Sequence, residues 1–161
     1  MLDLLYKTSD HRDEMKIFHQ QVPAYFDDFN IREIPPLMWS HIYVLDHADG
    51  GRFRVHLTGT AIDSSLRAGL KGHYMDEITH GPQSVNVLAG YSHCIEQNRT
   101  LYMCQTVAME NRPKLVVQAS AQPLLASEGS DIKHVLGLMF IDYAEPGTVA
   151  KNDFVEHGLE F

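Results

Sequence analysis

The 161-residue sequence predicts one α+β domain: a five-stranded antiparallel sheet with helices packed on one face and a further helix ahead of it. Three observations predict it. Two β-rich segments, at residues 40–46 and 52–58, are joined by Asp49-Gly50-Gly51, whose glycines supply the positive φ that a hairpin turn wants. Three more β-rich segments follow, at residues 100–110, 114–125 and 134–143. Between the two groups lies a block with helical spacing. Strands on both sides of a helical block imply an antiparallel sheet that the block covers.

Taken in order, residues 9–29 read as helical. Ser9 or Asp10 is placed to cap the N-terminus, Asp13 and Glu14 fall in the first turn, and Met15, Phe18, Val22 and Phe26 recur at helical spacing. Pro23 is expected to break or kink this run. Ile34-Pro35-Pro36 should end any helix and form an extended lead-in. In the second strand, Phe53, Val55 and Leu57 alternate onto one face. Thr60 or Asp63 can cap a short helix ended by Gly69, and Gly72 and Gly81-Pro82 bracket a short irregular stretch. The longer helix, at 83–97, carries Val85, Leu88, Tyr91, Ser92 and Ile95 as its stripe, with Asn98 as its C-terminal cap. Asn111-Arg112-Pro113 and residues 127–131 supply the last two turns. The chain divides into an N-terminal helical segment (1–33), the sheet domain (34–144) and a tail (145–161).

Composition narrows the function. Hydrophobic residues make up 44%, enough for a real core. The formal net charge is −8, and no cluster of Lys and Arg appears, so binding to nucleic acid or to an anionic membrane surface is not expected. No apolar run approaches the ~20 residues that cross a bilayer. The opening Met1-Leu2-Asp3-Leu4-Leu5 lacks the form of a signal peptide, so a cytoplasmic protein is expected. Cys94 and Cys104 lack CxxC spacing and read as reduced thiols.

The segment Ile34-Pro35-Pro36, then Tyr43-Val44-Leu45-Asp46, then Phe53-Arg54-Val55-His56-Leu57-Thr58-Gly59-Thr60, then Gly72 with Asp76-Glu77 after it, resembles a family of bacterial single-domain PAS-like proteins. The likeness is strongest over residues 34–80, with Gly137-Leu138 as a later echo. Arg67-Ala68-Gly69-Leu70-Lys71-Gly72 departs from it, keeping the leucine and final glycine but not the family's Gly-Arg order. The resemblance implies a PAS-like fold and a sensory or signalling role, through a ligand held between sheet and helices or through dimerisation. It implies no particular ligand or cofactor.

Candidate site residues follow from the strand faces. Leu57, Tyr91, Met103, Gln105, Val117 and Met139 are expected to line a helix-covered space, with Ala119, Ala121 and Gly137 leaving volume beside them. Gln105 is the polar group suited to orient a ligand there. The plainer reading of the same residues is an ordinary packed core. The ten histidines show no HExxH and no helical i, i+4 pair, and read as solvated or singly hydrogen-bonded. Some PAS domains hold haem through a histidine on the long helix. Here His93 falls away from the apolar stripe, while His80 sits in a loop that the pattern does not orient. His93-Cys94-Ile95 is not the Asn-Cys-Arg of photoreactive flavin binders. There is no GxSxG and no P-loop, Asp46 and His47 face opposite sides of a strand, and Asp76-Glu77 reads as a solvated turn, so no enzyme is expected. The apolar load of the N-terminal helix fits packing on the sheet's other face or a dimer contact. The leading expectation is a stand-alone PAS-like regulator that binds a small molecule, a signalling partner protein, or a second copy of itself. A small α+β enzyme with a helix-covered pocket and a ligand-free adaptor stay open beside it.

Overall fold

The computed structural model describes residues 11–66, 69–78, 82–107 and 115–143, with the backbone alone at 49, 82–87, 106 and 107. Its elements are α1 (Arg12–Gln20), β1 (Ile42–His47), β2 (Phe53–Thr58), α2 (Thr60–Leu66), α3 (Met75–Ile78), α4 (Pro82–Gln97), β3 (Leu101–Val107), β4 (Leu115–Leu125) and β5 (Lys133–Tyr143). The strands form one antiparallel sheet in the order β2-β1-β5-β4-β3. The expected α+β class holds, and the architecture is consistent with a PAS-like fold. The predicted turn at 111–113, Ser9 and Asp10, His80, and the tail from 145 lie outside the described residues.

The hairpin between β1 and β2 turns where the sequence placed it, with Gly50 at φ 77° and Gly51 at φ 75°. Asn98 adopts φ 49° just after α4, the left-handed geometry of a helix stop. The N-terminal segment departs from expectation. α1 ends at Gln20 and does not continue to residue 29. Pro23 explains this, because it disfavours helical geometry at Val22 and offers no N–H for a helical bond. His11 takes the N-cap position without a side-chain cap, and its ring contacts the Glu14 carboxylate instead, at 3.2 Å. The predicted extended lead-in is also replaced: short 3-10 turns occupy Phe26–Asp28, Ile31–Glu33 and Pro36–His41. Proline suits the first position of such a turn, since its missing N–H would have no partner there.

The sheet buries both faces, each with its own cluster. One gathers Tyr43, Leu45, Phe53, Val55, Tyr91, Cys94, Met103 and Ala121 beneath α2, α3 and α4. The other packs Met15 and Phe18 of α1 on Ile42, Val44, Leu136, Leu138 and Phe140. The apolar load of α1 is thus consumed by the sheet's other face, with Val22 and Phe26 packed at its margin. Among the described residues no helix is long and apolar enough to cross a membrane.

Two irregularities shape the sheet. Across β1 and β2, Leu45 pairs with Val55 but Val44 pairs with Leu57, so His56 is an extra residue in a bulge. The bulge breaks the strict alternation read for Phe53, Val55 and Leu57. Leu57 comes to stand opposite Val44 of the α1-side cluster and is 38% exposed. The second irregularity is a gap in the β4–β5 pairing. It runs from Ala119–Met139 to Gln122–Leu136, skipping Ser120 and Ala121. There the Ser120 hydroxyl takes the Leu138 N–H at 3.0 Å, in place of a backbone acceptor. The Ser120 carbonyl turns to the Tyr43 hydroxyl at 2.6 Å. Gly137 fits this gap because a Cβ there would run into the Ser120 carbonyl. Gly137→Ala is therefore expected to destabilise the protein by about 1–3 kcal/mol in urea unfolding. Gly69→Ala, facing open space, should stay within about 0.5 kcal/mol of wild type.

Candidate functional site

α4 lies across β3, β4 and β5. The period of 2 along each strand decides what meets it. Met103 pairs with Ala119, Gln105 with Val117, Val117 with Ile141 and Ala119 with Met139. These residues share the face that Tyr91 and Cys94 close from α4. Five of the six candidate residues are brought together: Tyr91 and Met103 are buried core, Gln105 is 8% exposed, and Val117 and Met139 are half-buried. Leu57 does not join them, for the reason of the bulge. Ala119 and Ala121 are buried in the same cluster, tight against α4. His93 is half-buried on α4.

The polar groups of this face form a short chain. The Tyr91 hydroxyl meets that of Tyr43, whose own proton goes to the Ser120 carbonyl at 2.6 Å. The Cys94 thiol donates to the Ala121 carbonyl at 3.5 Å. Burial raises all three acids: Tyr43 well above its ordinary value, Tyr91 to about 12 against the smaller pull of its bond to Tyr43, and Cys94 to about 12. Cys94 is consequently a neutral, inert thiol at physiological pH. Among the described residues, the buried polar and charged side chains are His19, Gln105, Gln118, Ser120 and His134, and of these Gln105, an uncharged amide, lies on the face beneath α4.

The opposite face holds polar groups that the sequence reading passed over. Gln118, Ser120 and Gln122 of β4 alternate onto the α1 side. The Gln118 side-chain Oε1 accepts from the His11 backbone N–H at 3.3 Å and from the Tyr102 hydroxyl at 3.2 Å. His19 lies 2.7 Å from both Ser120 Oγ and Gln122 Oε1. Nδ1 faces an amide oxygen and must donate; burial keeps the ring neutral, which leaves Nε2 to accept the Ser120 proton. Burial lowers the His19 pKa to about 4, with the Gln122 bond opposing. Ser120 is fully buried, so this Ser–His pair is closed to any substrate. The expectation of solvated or singly bonded histidines does not describe His19. The signal that finds it is the polar period of 2 in β4, on a strand whose alternate residues are Val117, Ala119 and Ala121.

A third cluster caps the β1–β2–β5 end of the α1 face. Asp46 Oδ1 lies 2.9 Å from His134 Nδ1 and 3.1 Å from His56 Nδ1, and Arg54 Nη2 reaches Oδ2 at 3.3 Å. The Phe26 ring packs on His134 with centroids 4.3 Å apart. Partial burial works to raise the Asp46 pKa, but the bonds and charge of His56, Arg54 and His134 outweigh it and hold the carboxyl below its usual range. Asp76, read as part of a solvated turn, is exposed and there makes a two-point surface pair with Arg52, at 2.8 and 2.9 Å. Among the described residues no three histidine, cysteine or acidic side chains gather to hold a metal ion.

No protein-family model matches the chain, and no curated protein matches it.

His19 makes a pH prediction with a definite sign. Its folded pKa lies below the unfolded value of 6.5, so the unfolded state binds the proton first. Stability from this group is complete above pH 6.5 and falls as pH drops toward about 4. The loss should be on the order of 3 kcal/mol. Urea unfolding between these pH values checks it: the slope should be shallower in His19→Gln, which cannot titrate.

Proposed function

We propose that this protein is a PAS-like sensory or regulatory domain that binds a small neutral molecule under α4 and passes its state to a partner protein or a second copy of itself. One observation carries the reading. Met103, Gln105, Val117 and Met139 share the sheet face that α4 covers with Tyr91, so one uncharged donor and acceptor, the Gln105 amide, stands on a face otherwise apolar at these positions. A ligand suited to it is mostly apolar, uncharged, and carries one polar group for that amide. The likeness of residues 34–80 to PAS-like proteins supports the same reading. Burial keeps the Cys94 thiol neutral, which sets it apart from an activated thiolate nucleophile.

Such a domain acts by the difference in ligand affinity between two arrangements of its helices. Native mass spectrometry of the purified chain tests the proposal. The expected spectrum carries extra mass that denaturation removes and that Gln105→Leu abolishes without unfolding the protein. A chain that retains no mass, and gains none from the small-molecule fraction of a cell extract, sinks the sensor reading. The same spectrum counts copies of the chain and so decides between partner and self-association.

A further inference from the structure

A cleft of about 340 Å³ opens on the rim of the sheet, away from the face that α4 covers. Its walls are the segment after α1 (Val22, Pro23, Ala24), the link from α4 to β3 (Asn98, Thr100), and Gln122, Pro123 and Leu124 of β4. The cleft exists because β4 loses its neighbour there. β3 pairs no further along β4 than Leu101 with Ala121, and Tyr25 bridges β4 again only at Leu125. In the interval, Pro123 has no N–H, and a strand accepts proline where that N–H would face away from a ladder. On an antiparallel strand the carbonyl of a residue points the same way as its N–H. The Pro123 carbonyl therefore faces the open edge.

The lining offers acceptors and donors without charge. Pro123 supplies a carbonyl, Thr100 a hydroxyl and Asn98 an amide. Gln122 has its oxygen engaged by His19 Nδ1, at 2.7 Å, which leaves its amide hydrogens for the cleft it lines. A vacant strand edge bordered by uncharged amides matches the pattern of a peptide unit, which presents one donor and one acceptor in a plane.

Gln122 is also the outer end of a buried chain. It runs from Gln122 to His19, to the Ser120 hydroxyl and, through the Ser120 carbonyl, to Tyr43 and Tyr91 on the far side of the sheet. A ligand that pulls on the Gln122 amide changes the acceptor that fixes the His19 tautomer. We propose that this cleft binds a small neutral ligand bearing an amide, and that Gln122 reports its occupancy inward to His19. The proposal needs no ligand under α4, so it stands or falls separately from the sensor reading.

The test is an NMR titration of the isotopically labelled full chain with N-acetylglycine methylamide, with glucose as a neutral probe that lacks the planar amide. The expected result is saturable shifts at Asn98, Thr100 and the Gln122 side chain, with the His19 ring following the same curve. Gln122→Met should weaken the apparent affinity about tenfold or more, which is about 1.4 kcal/mol for a lost amide contact. Thr100→Val, which leaves the His19 network intact, should weaken it in the same direction and serves if Gln122→Met does not fold. No saturation with the amide, saturation unaffected by both variants, or saturation with glucose alone overturns the site. Cleft shifts that leave His19 unmoved overturn its inward report.

Discussion

Ser120 is the residue on which both layers of this protein depend. The β4–β5 ladder opens at its position, and the two polar groups of one residue are divided between the two faces of the sheet. Its hydroxyl closes the ladder by taking the Leu138 N–H and holds α1 through His19. Its carbonyl anchors Tyr43, and through it Tyr91 of α4. A buried polar group left without a partner costs more than a made hydrogen bond returns, so each of these groups constrains the next. A Cβ on Gly137 would run into the Ser120 carbonyl that anchors Tyr43, which makes that glycine a condition of the network.

This arrangement gives the two helical layers different characters. Under α4 the contacts are apolar, with a few neutral hydroxyl and thiol groups whose acidity burial suppresses. Under α1 an apolar stripe of Met15 and Phe18 is registered by polar pins at Gln118, Ser120 and Gln122. Apolar packing is tolerant of sliding, whereas hydrogen bonds fix position. α1 is thus set on the sheet at a defined register, and its seat includes a histidine held neutral well below its usual titration range.

A good part of the fold was legible in residue order. The Asp49-Gly50-Gly51 turn, the stop at Asn98 and the stripe of Leu88, Tyr91 and Ile95 are local signals, and the structure keeps each of them. The grouping of Tyr91, Met103, Gln105, Val117 and Met139 on one face was also legible, because a period of 2 on paired strands fixes sides. Leu57 was misplaced because a bulge depends on how β2 meets β1, and nothing in Phe53-Arg54-Val55-His56-Leu57 announces it. Pro23 announced the end of α1 but not the 3-10 turns that follow, whose geometry is set by packing on the sheet.

By itself the sequence determined the alternation of strands and helices, the antiparallel sheet, and which strand residues share a face, because these follow from spacing along the chain. Only the tertiary structure decided that the polar row of Gln118, Ser120 and Gln122 lies under α1 and not in water. It alone brought Asp46 together with His56 and His134 from three strands. The physical reason is the same in both cases. A strand's pattern says which residues share a side, but partners such as His134 for Asp46 and His11 for Gln118 come from 88 and 107 positions away, and their meeting is fixed by packing of the whole domain.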